Sequence, residues 1–428
     1  MMALRIVSTT RLITRKMLGV IAMVFTACFQ PCNAQRAILY WLGVPSPSGQ
    51  SIATDVSATG LAVVGWTQDN NGTVRAFHWS WATGMRLLGT LDGSVSVAHA
   101  VRETGLDSYV VAGSAEDSLG YAHAFRWQHG WNSLRRELND SRSVAFDIGS
   151  KVGAHGDYIF VGWAMYGQLP KAVYWISYRN SAPSANRVYI DTFPDTTSYA
   201  LAIAEHSQRI VGRIAPLGGD WHAFYSDIRS GDPTIVDIGT LGGCCSAAED
   251  VSANGLVIVG WAHNSNNHVR AFRWSGTMRD LGTLGGNESA AYGVDMSGSL
   301  IVGSAQDRDQ QWRAVWWING SIQDLNQLVA DQLDEGSRLI EARAISASGA
   351  YIVGYGYRAG RYEAFLIAFA SRLPGDVNGD LCVNDSDVLS VLFAFGNSGG
   401  TEDLNQDGTV DDADLLEVLF NFGNGAGC

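Results

Sequence analysis

Near the end of the chain, two sets of residues stand at a spacing that suits a hard cation. Asp376, Asn378 and Asp380 alternate, Asn384 follows four residues on, and Asp387 closes a span of twelve. Asp403, Asn405, Asp407, Asp411 and Asp414 repeat the pattern 27 residues later. Oxygens at positions 1, 3, 5, 9 and 12, with a backbone carbonyl at position 7, make the ligand set of a calcium loop; the carbonyls here belong to Cys382 and Thr409. Two Ca²⁺ sites are therefore expected, with Asn384 placed to bind through water. Position 6 needs a sharp turn. Gly408 supplies it in the second loop, but Leu381 holds that place in the first, where left-handed backbone is costly for a branched side chain. The first site is expected to be the weaker one.

Charge points the same way. No Lys or Arg follows Arg372, yet eleven Asp and Glu lie between Asp376 and Cys428, in a chain whose net charge is −13. Such crowding repels itself unless cations offset it. A solvated acidic tail would be poor in apolar residues, whereas each loop runs into an apolar stretch: Val388, Leu389, Val391, Leu392, Phe393 and Phe395, then Leu415, Leu416, Val418, Leu419, Phe420 and Phe422. The spacing predicts two loop–helix halves. This tail resembles a type I dockerin, a calcium-folded module that docks onto cohesin domains of a scaffold protein. The resemblance implies a cohesin-like or other extracellular protein as partner. Loop positions 10 and 11, which carry recognition in many dockerins, hold Asp385–Ser386 and Asp412–Ala413 here in place of the frequent Ser/Thr pair.

Ahead of the tail, one phrase recurs. Its clearest copy reads AEDVSANGLVIVGWA, VRAFRWS and MRDLGTLGG, and the glycine ending the apolar strand stands at 65, 113, 162, 212, 260, 303 and 354. Seven copies with a period in the forties mark a repeat architecture. The runs are short and rich in Val, Ile and aromatics, separated by Asn-Gly, Thr-Gly or Ser-Gly turns, so each copy reads as three or four β-strands. Gln323–Leu333 is the one helix expected before the tail. A small sheet cannot bury both faces alone, so the copies are expected to pack as blades of a propeller. The MRDLG strand is missing after the last copy, while Ile38–Gly43 matches it at the start. The predicted fold is mainly β: a seven-bladed β-propeller closed by the N-terminal strand, then a small α-helical calcium-binding domain, with an open stack of β-units as the alternative. This region is similar to the HAF-repeat family, named for a phrase seen here as His123-Ala124-Phe125 and His222-Ala223-Phe224. The resemblance implies a secreted bacterial protein and says little about ligand or activity.

Residues 1–34 read as an export signal: Arg5, Arg11, Arg15 and Lys16 precede an apolar stretch from Met17 to Phe29, and Cys32-Asn33-Ala34 ends in a small residue suited to cleavage. A lipoprotein anchor at Cys28 is the rival reading. No later segment is apolar enough to suggest a transmembrane span. The expected domains are therefore a signal at 1–34, the propeller at 35–370 and the calcium module at 371–428. Cys382 and Cys428 bracket that module and could be joined; adjacent Cys244 and Cys245 could form a vicinal disulfide or remain thiols.

Within the repeats, Asp55, Asp147 and Asp250 share one position. They could ring a channel mouth as acid–base or cation-binding groups, or simply cap turns. His123 and His222 stand where other copies have Arg, Lys or Glu, and a position so varied is expected to face solvent. Trp79, Trp127, Trp175, Trp274 and Trp317 read as packing anchors. Trp66, Trp163 and Trp261 follow the strand glycine and suit stacking on a carbohydrate. The 25 Lys and Arg and 31 Asp and Glu of residues 35–375 give no basic stripe for nucleic acid. The expected function is a secreted, non-catalytic binding or scaffold protein tethered by its tail; the alternative is a polysaccharide-degrading enzyme, a glycoside hydrolase or lyase, attached the same way.

Overall fold

Each repeat glycine lies within its strand, not at its end, and faces a kink in the neighbouring strand. The computed structural model describes residues 37–105, 108–137, 142–150, 157–178, 187–231, 233–318, 320–369, 375–377, 383–397, 402–404 and 409–423. In the copy containing Gly260 the strands are Gly242–Val251, Ile258–Asn264, Val269–Trp274 and Met278–Asp280, paired antiparallel in that order. Ala248 pairs with Gly260 and Asp250 with Val259, so Glu249 is left unopposed in a β-bulge. The same skip occurs at Thr54, His99, Phe146, Leu201, Tyr292 and Arg343. Each bulge drives a carbonyl against the facing strand. A Cβ on Gly260 would lie 2.0 Å from the Ala247 oxygen, and the corresponding gap is 1.9–2.1 Å at the other six glycines. Only a residue without a side chain fits there.

Seven such four-stranded sheets form a seven-bladed β-propeller. Their first strands touch in an unbroken circle that returns from Arg338–Ile345 to Gln50–Val56. The ring closes as expected: Ala37–Trp41 pairs antiparallel with Arg361–Phe369, from Ala37 opposite Phe369 to Trp41 opposite Phe365. The apolar cores lie between blades. Val64 and Ala76 of the first blade, for example, pack with Val111, Phe125 and Trp127 of the second. No blade can therefore bury its faces alone. Trp79, Trp127, Trp175 and Trp317 are buried, as packing anchors should be.

In six of the seven blades a serine on the first strand ties the blade to the one before it. The hydroxyls of Ser51, Ser96, Ser143, Ser198, Ser246 and Ser289 accept the backbone N–H of Ala364, Ala76, Ala124, Ala172, Ala223 and Ala271 at 2.8–3.0 Å. Four of them also donate to the glycine carbonyl that follows a preceding fourth strand: Gly43, Gly89, Gly239 and Gly282. The central Ala of the HAF phrase is thus a donor in a joint between blades.

Two expectations fail here. The residue before that Ala does not uniformly face solvent: His123, Lys171 and Glu363 are buried. Each finds a local counter-charge, His123 with Asp117 at 2.9 Å, Lys171 with Asp191 at 3.2 Å and Glu363 with Arg361 at 3.4 Å, which is what lets unlike charges occupy a buried position. His222 is half-exposed and pairs with Asp237 at 2.7 Å. In the second blade Glu137 stands where the first has Leu88: its N–H bonds the Ala124 carbonyl as that of Leu88 bonds the Ala76 carbonyl. A buried Arg126–Glu137 pair at 3.0 Å stands where other blades pack a Leu or Ile. The helix expected at 323–333 is a short one, Leu325–Leu328, followed by a 3₁₀ turn, Ala330–Gln332.

In the tail, helices Asp385–Ala394 and Asp412–Phe420 follow the loops and pack around Val377, Val383, Val391, Val410 and Val418. Among the described residues no helix is long and apolar enough to cross a membrane. The expected signal at 1–34, with Cys28, and the expected Cys382–Cys428 link lie outside the described residues.

Since the bulge carbonyl leaves no room for a methyl group, Gly260→Ala should destabilise the propeller by about 3 kcal/mol, read as a fall in the urea midpoint.

Candidate functional site

The bulges place one extra side chain per blade on the central channel. Thr54, His99, Phe146, Leu201, Glu249, Tyr292 and Arg343 are all half-buried and, with Arg213, line a cavity of about 330 Å³. A second cavity, of about 340 Å³, lies toward the turns joining first and second strands, among Asp55, Asp147, Asp250, Arg102 and Glu205.

The acids chosen from the sequence belong to the second cavity, and their oxygens are committed. Asp55 accepts the N–H of Val56 at 2.7 Å and of Val101 in the next blade at 2.7 Å. Asp147 does the same with Ile148 at 2.6 Å and Ile203 at 2.8 Å, and Asp250 with Val251 at 2.7 Å and Val294 at 2.8 Å. Three carboxylates thereby serve the N–H groups of six blades. The seventh, at Ile345, has Ala344 on its own strand and Gly293 on the preceding blade, so it receives no such partner. These acids are more than turn caps; each clips its own blade to the next, so that alternate junctions are bridged. Arg102 reaches past the third blade to pair with Glu205.

That arrangement has a cost. Burial pushes the Asp55 carboxyl well above the usual range, with repulsion from Asp147 and Asp250 adding to it. Burial likewise raises Asp147 and pushes Asp250 up to about 8, against the opposing pull of the backbone N–H donors.

The bulge ring is more reactive in composition. Glu249 Oε1 accepts the indole N–H of Trp261 at 2.8 Å. Arg343 pairs with Glu341, and its guanidinium lies 5.1 Å from the Tyr292 ring centre. Burial raises the carboxyls of Glu249 and Glu341, opposed by Arg213 and Arg343 for the first and by Arg343 for the second. Burial also raises the Tyr292 hydroxyl and lowers His99 to about 4, leaving that imidazole neutral. His99 meets the Phe146 ring edge-on at 5.0 Å. Sequence reading missed this ring by one residue. Its signal was the most varied position of the phrase, directly before the Asp55, Asp147 and Asp250 position.

Of the three tryptophans expected to meet a sugar, Trp261 holds Glu249, and Trp163 lies 6.2 Å from Tyr199, edge-on; all three are half-buried. Cys244 and Cys245 are joined as a vicinal disulfide, with Cys244 Sγ 3.5 Å from His263 Nδ1. A disulfide offers no thiolate, so this cluster is not a metal site in that state.

In the tail, both halves repeat one geometry. Asp387 accepts the N–H of Val377 at 2.8 Å and of Asn384 at 2.9 Å; Asp414 accepts those of Leu404 at 2.6 Å and Asp411 at 2.9 Å. Asn384 and Asp411 cap their helices through Ser386 and Ala413. The twelfth residue of each loop is thus drawn back to the second. Asp376, Asp387 and Asp414 have no exposed surface, and Asp403 is 6 % exposed. Buried carboxylates in a segment without Lys or Arg are a donor set that fits a hard divalent cation. Of the sequence-predicted ligands, Asp376, Asn384, Asp387, Asp403, Thr409, Asp411 and Asp414 are described; Asn378, Asp380, Cys382, Asn405 and Asp407 lie outside the described residues.

No family model matches this chain, and no curated protein matches it in sequence. Its fold is similar to several solved structures. A puromycin hydrolase mutant complexed with PGG aligns at 11 % identity and TM-score 0.50, over 75 % of this chain and 55 % of that one. The propeller domain of the Trilobed protease from Pyrococcus furiosus aligns at 11 % identity and TM-score 0.46, over 74 % and 95 %. An oligogalacturonate lyase in complex with manganese aligns at 10 % identity and TM-score 0.46, over 78 % and 93 %. At these identities the likeness is one of fold.

The raised Asp250 carboxyl has a measurable consequence. Its folded value lies above that of an unfolded aspartate, so the fold holds the proton more tightly, and stability should fall as pH rises from 3.8 to about 8. Urea midpoints taken across that window should decline in the native protein and decline less in Asp250→Asn.

Proposed function

We propose that this chain is a secreted, non-catalytic binding protein, in which a tail folded around two Ca²⁺ ions tethers a propeller that takes a ligand in its channel. The observation that carries the tether is the burial of Asp376, Asp387, Asp403 and Asp414 without a basic residue in the segment. Asp376, Asn378, Asp380, the Cys382 carbonyl, Asn384 and Asp387 would hold one ion; Asp403, Asn405, Asp407, the Thr409 carbonyl, Asp411 and Asp414 would hold the other. Bound calcium would neutralise the buried carboxylates and fix both helices.

Those helices carry a surface fit for docking. Phe393 is 85 % exposed and Phe420, its counterpart in the second half, 83 %. Leu389, Leu392, Leu416 and Leu419 flank them, each about half-exposed. An exposed apolar face of this kind, written twice, favours a protein partner. A dockerin-like module would place a cohesin-like or other extracellular protein there.

One observation favours the enzymatic alternative, a glycoside hydrolase or lyase. Half-buried Glu249 and buried Glu341 have raised carboxyls beside Tyr292 and Arg343, the kind of setting in which a carboxyl can act as a general acid. That reading requires turnover of a polysaccharide, lost in Glu249→Gln or Glu341→Gln; inactivity across a broad glycan panel leaves the binding reading.

Calorimetry of the full chain should register two Ca²⁺ ions, with Asp387→Ala and Asp414→Ala each removing one; an absence of binding heat would sink the calcium assignment. Cells of the source organism should retain the full chain in Ca²⁺ and release it on chelation. A Phe393→Ser/Phe420→Ser double variant should lose retention while keeping two bound ions.

A further inference from the structure

The cavity inside the bulge ring is more specific than a generic sugar surface. Four charged side chains stand at or behind its wall, and three are accounted for. Arg343 pairs with Glu341, and Glu249 is held by the Trp261 indole N–H at 2.8 Å. Arg213 differs. It forms no ion pair among the described residues, and its Nε is buried without a hydrogen-bond partner. Its guanidinium lies 5.2 Å from the Tyr199 ring centre and 5.0 Å from that of Trp221, two rings 5.4 Å apart.

Position gives Arg213 its role. It follows Gly212, which the bulge at Leu201 requires, and it stands opposite Tyr199 in the strand pair. The other blades place Trp66, Ser114, Trp163, Trp261, Ser304 and Tyr355 at that register. Arg213 is therefore the one guanidinium on a tier otherwise made of aromatic and hydroxyl side chains. Rings suit the C–H faces of a pyranose, and a guanidinium with an open donor suits a carboxylate.

We propose that this cavity binds a saccharide bearing a carboxylate, with Arg213 holding the acid group and Phe146 and Tyr292, the rings on its wall, flanking the sugar. The volume of about 330 Å³ sits at the small end for a ligand pocket, which suits a terminal uronate residue rather than a long chain segment. The proposal rests on the reading of the propeller as a ligand-binding module and names what it binds.

The test is calorimetry of the full chain against galacturonate- and glucuronate-terminated oligosaccharides, their neutral galactose and glucose counterparts, and the methyl esters of the same uronates. The acids should bind about tenfold more tightly than the neutral sugars and the esters, the worth of one charge-assisted contact. Arg213→Gln should bring all three to parity. Phe146→Ala should weaken all three alike, since it leaves the charge in place. The esters remove the ligand's charge without touching the protein, so they decide the matter even where Arg213→Gln fails to fold. Equal binding of acid and ester by the native chain would overturn the carboxylate assignment while leaving saccharide binding intact. Tighter binding of an acidic peptide than of any uronate would overturn the sugar class. Binding of no saccharide at all would overturn the proposal together with the binding reading of the channel.

Discussion

The structure depends on one steric contact made seven times: a bulge carbonyl pressed against a glycine on the facing strand. Without a Cβ at Gly65, Gly113, Gly162, Gly212, Gly260, Gly303 and Gly354, the carbonyl can approach to a distance no other residue tolerates. The bulge that results ejects one residue per blade from the ladder and aims it at the channel. Blade shape and channel lining are therefore the same event. The glycine is constant because backbone occupies its space, and the ejected residue is free to vary because it packs against no ladder partner.

The second constraint is that blades cannot stand alone. Apolar clusters lie between them, and two sets of polar joints cross the same seams. Serine hydroxyls capture the alanine N–H at six junctions, and Asp55, Asp147 and Asp250 bridge alternate ones nearer the axis. An odd number of blades cannot be served in pairs, so one blade lacks the aspartate joint. That blade is the one completed by the N-terminal strand and is held by four-stranded pairing across the chain ends.

Much of this was legible because backbone demands repeat while side-chain roles do not. The glycine period counted the blades, and the missing last strand pointed to Ile38–Gly43 as its replacement. The channel residues were not legible, since comparing copies favours what is constant; the eye settles on Asp55, Asp147 and Asp250 and passes over Thr54 through Arg343 beside them. Charge diversity at His123, Lys171 and Glu363 suggested solvent because it usually means solvent. Here each charge meets a partner supplied by its own blade, and pattern alone does not reveal that. The Arg126–Glu137 pair is hidden for the same reason: a buried ion pair replaces a leucine without looking like one. In the tail the loop spacing was plain, and the capping by Asp387 and Asp414 is the geometry such spacing asks for, but the exposure of Phe393 and Phe420 follows from which helix face the valine core takes.

The bulge is the point on which channel, joints and candidate pocket all turn, and a crystallographic trace of the seven inner strands tests it most directly. The account predicts one skipped residue opposite every repeat glycine, with Thr54, His99, Phe146, Leu201, Glu249, Tyr292 and Arg343 converging on the axis. An unbroken ladder that turns those side chains into the blades, leaving Asp55, Asp147 and Asp250 free in the channel, would contradict it.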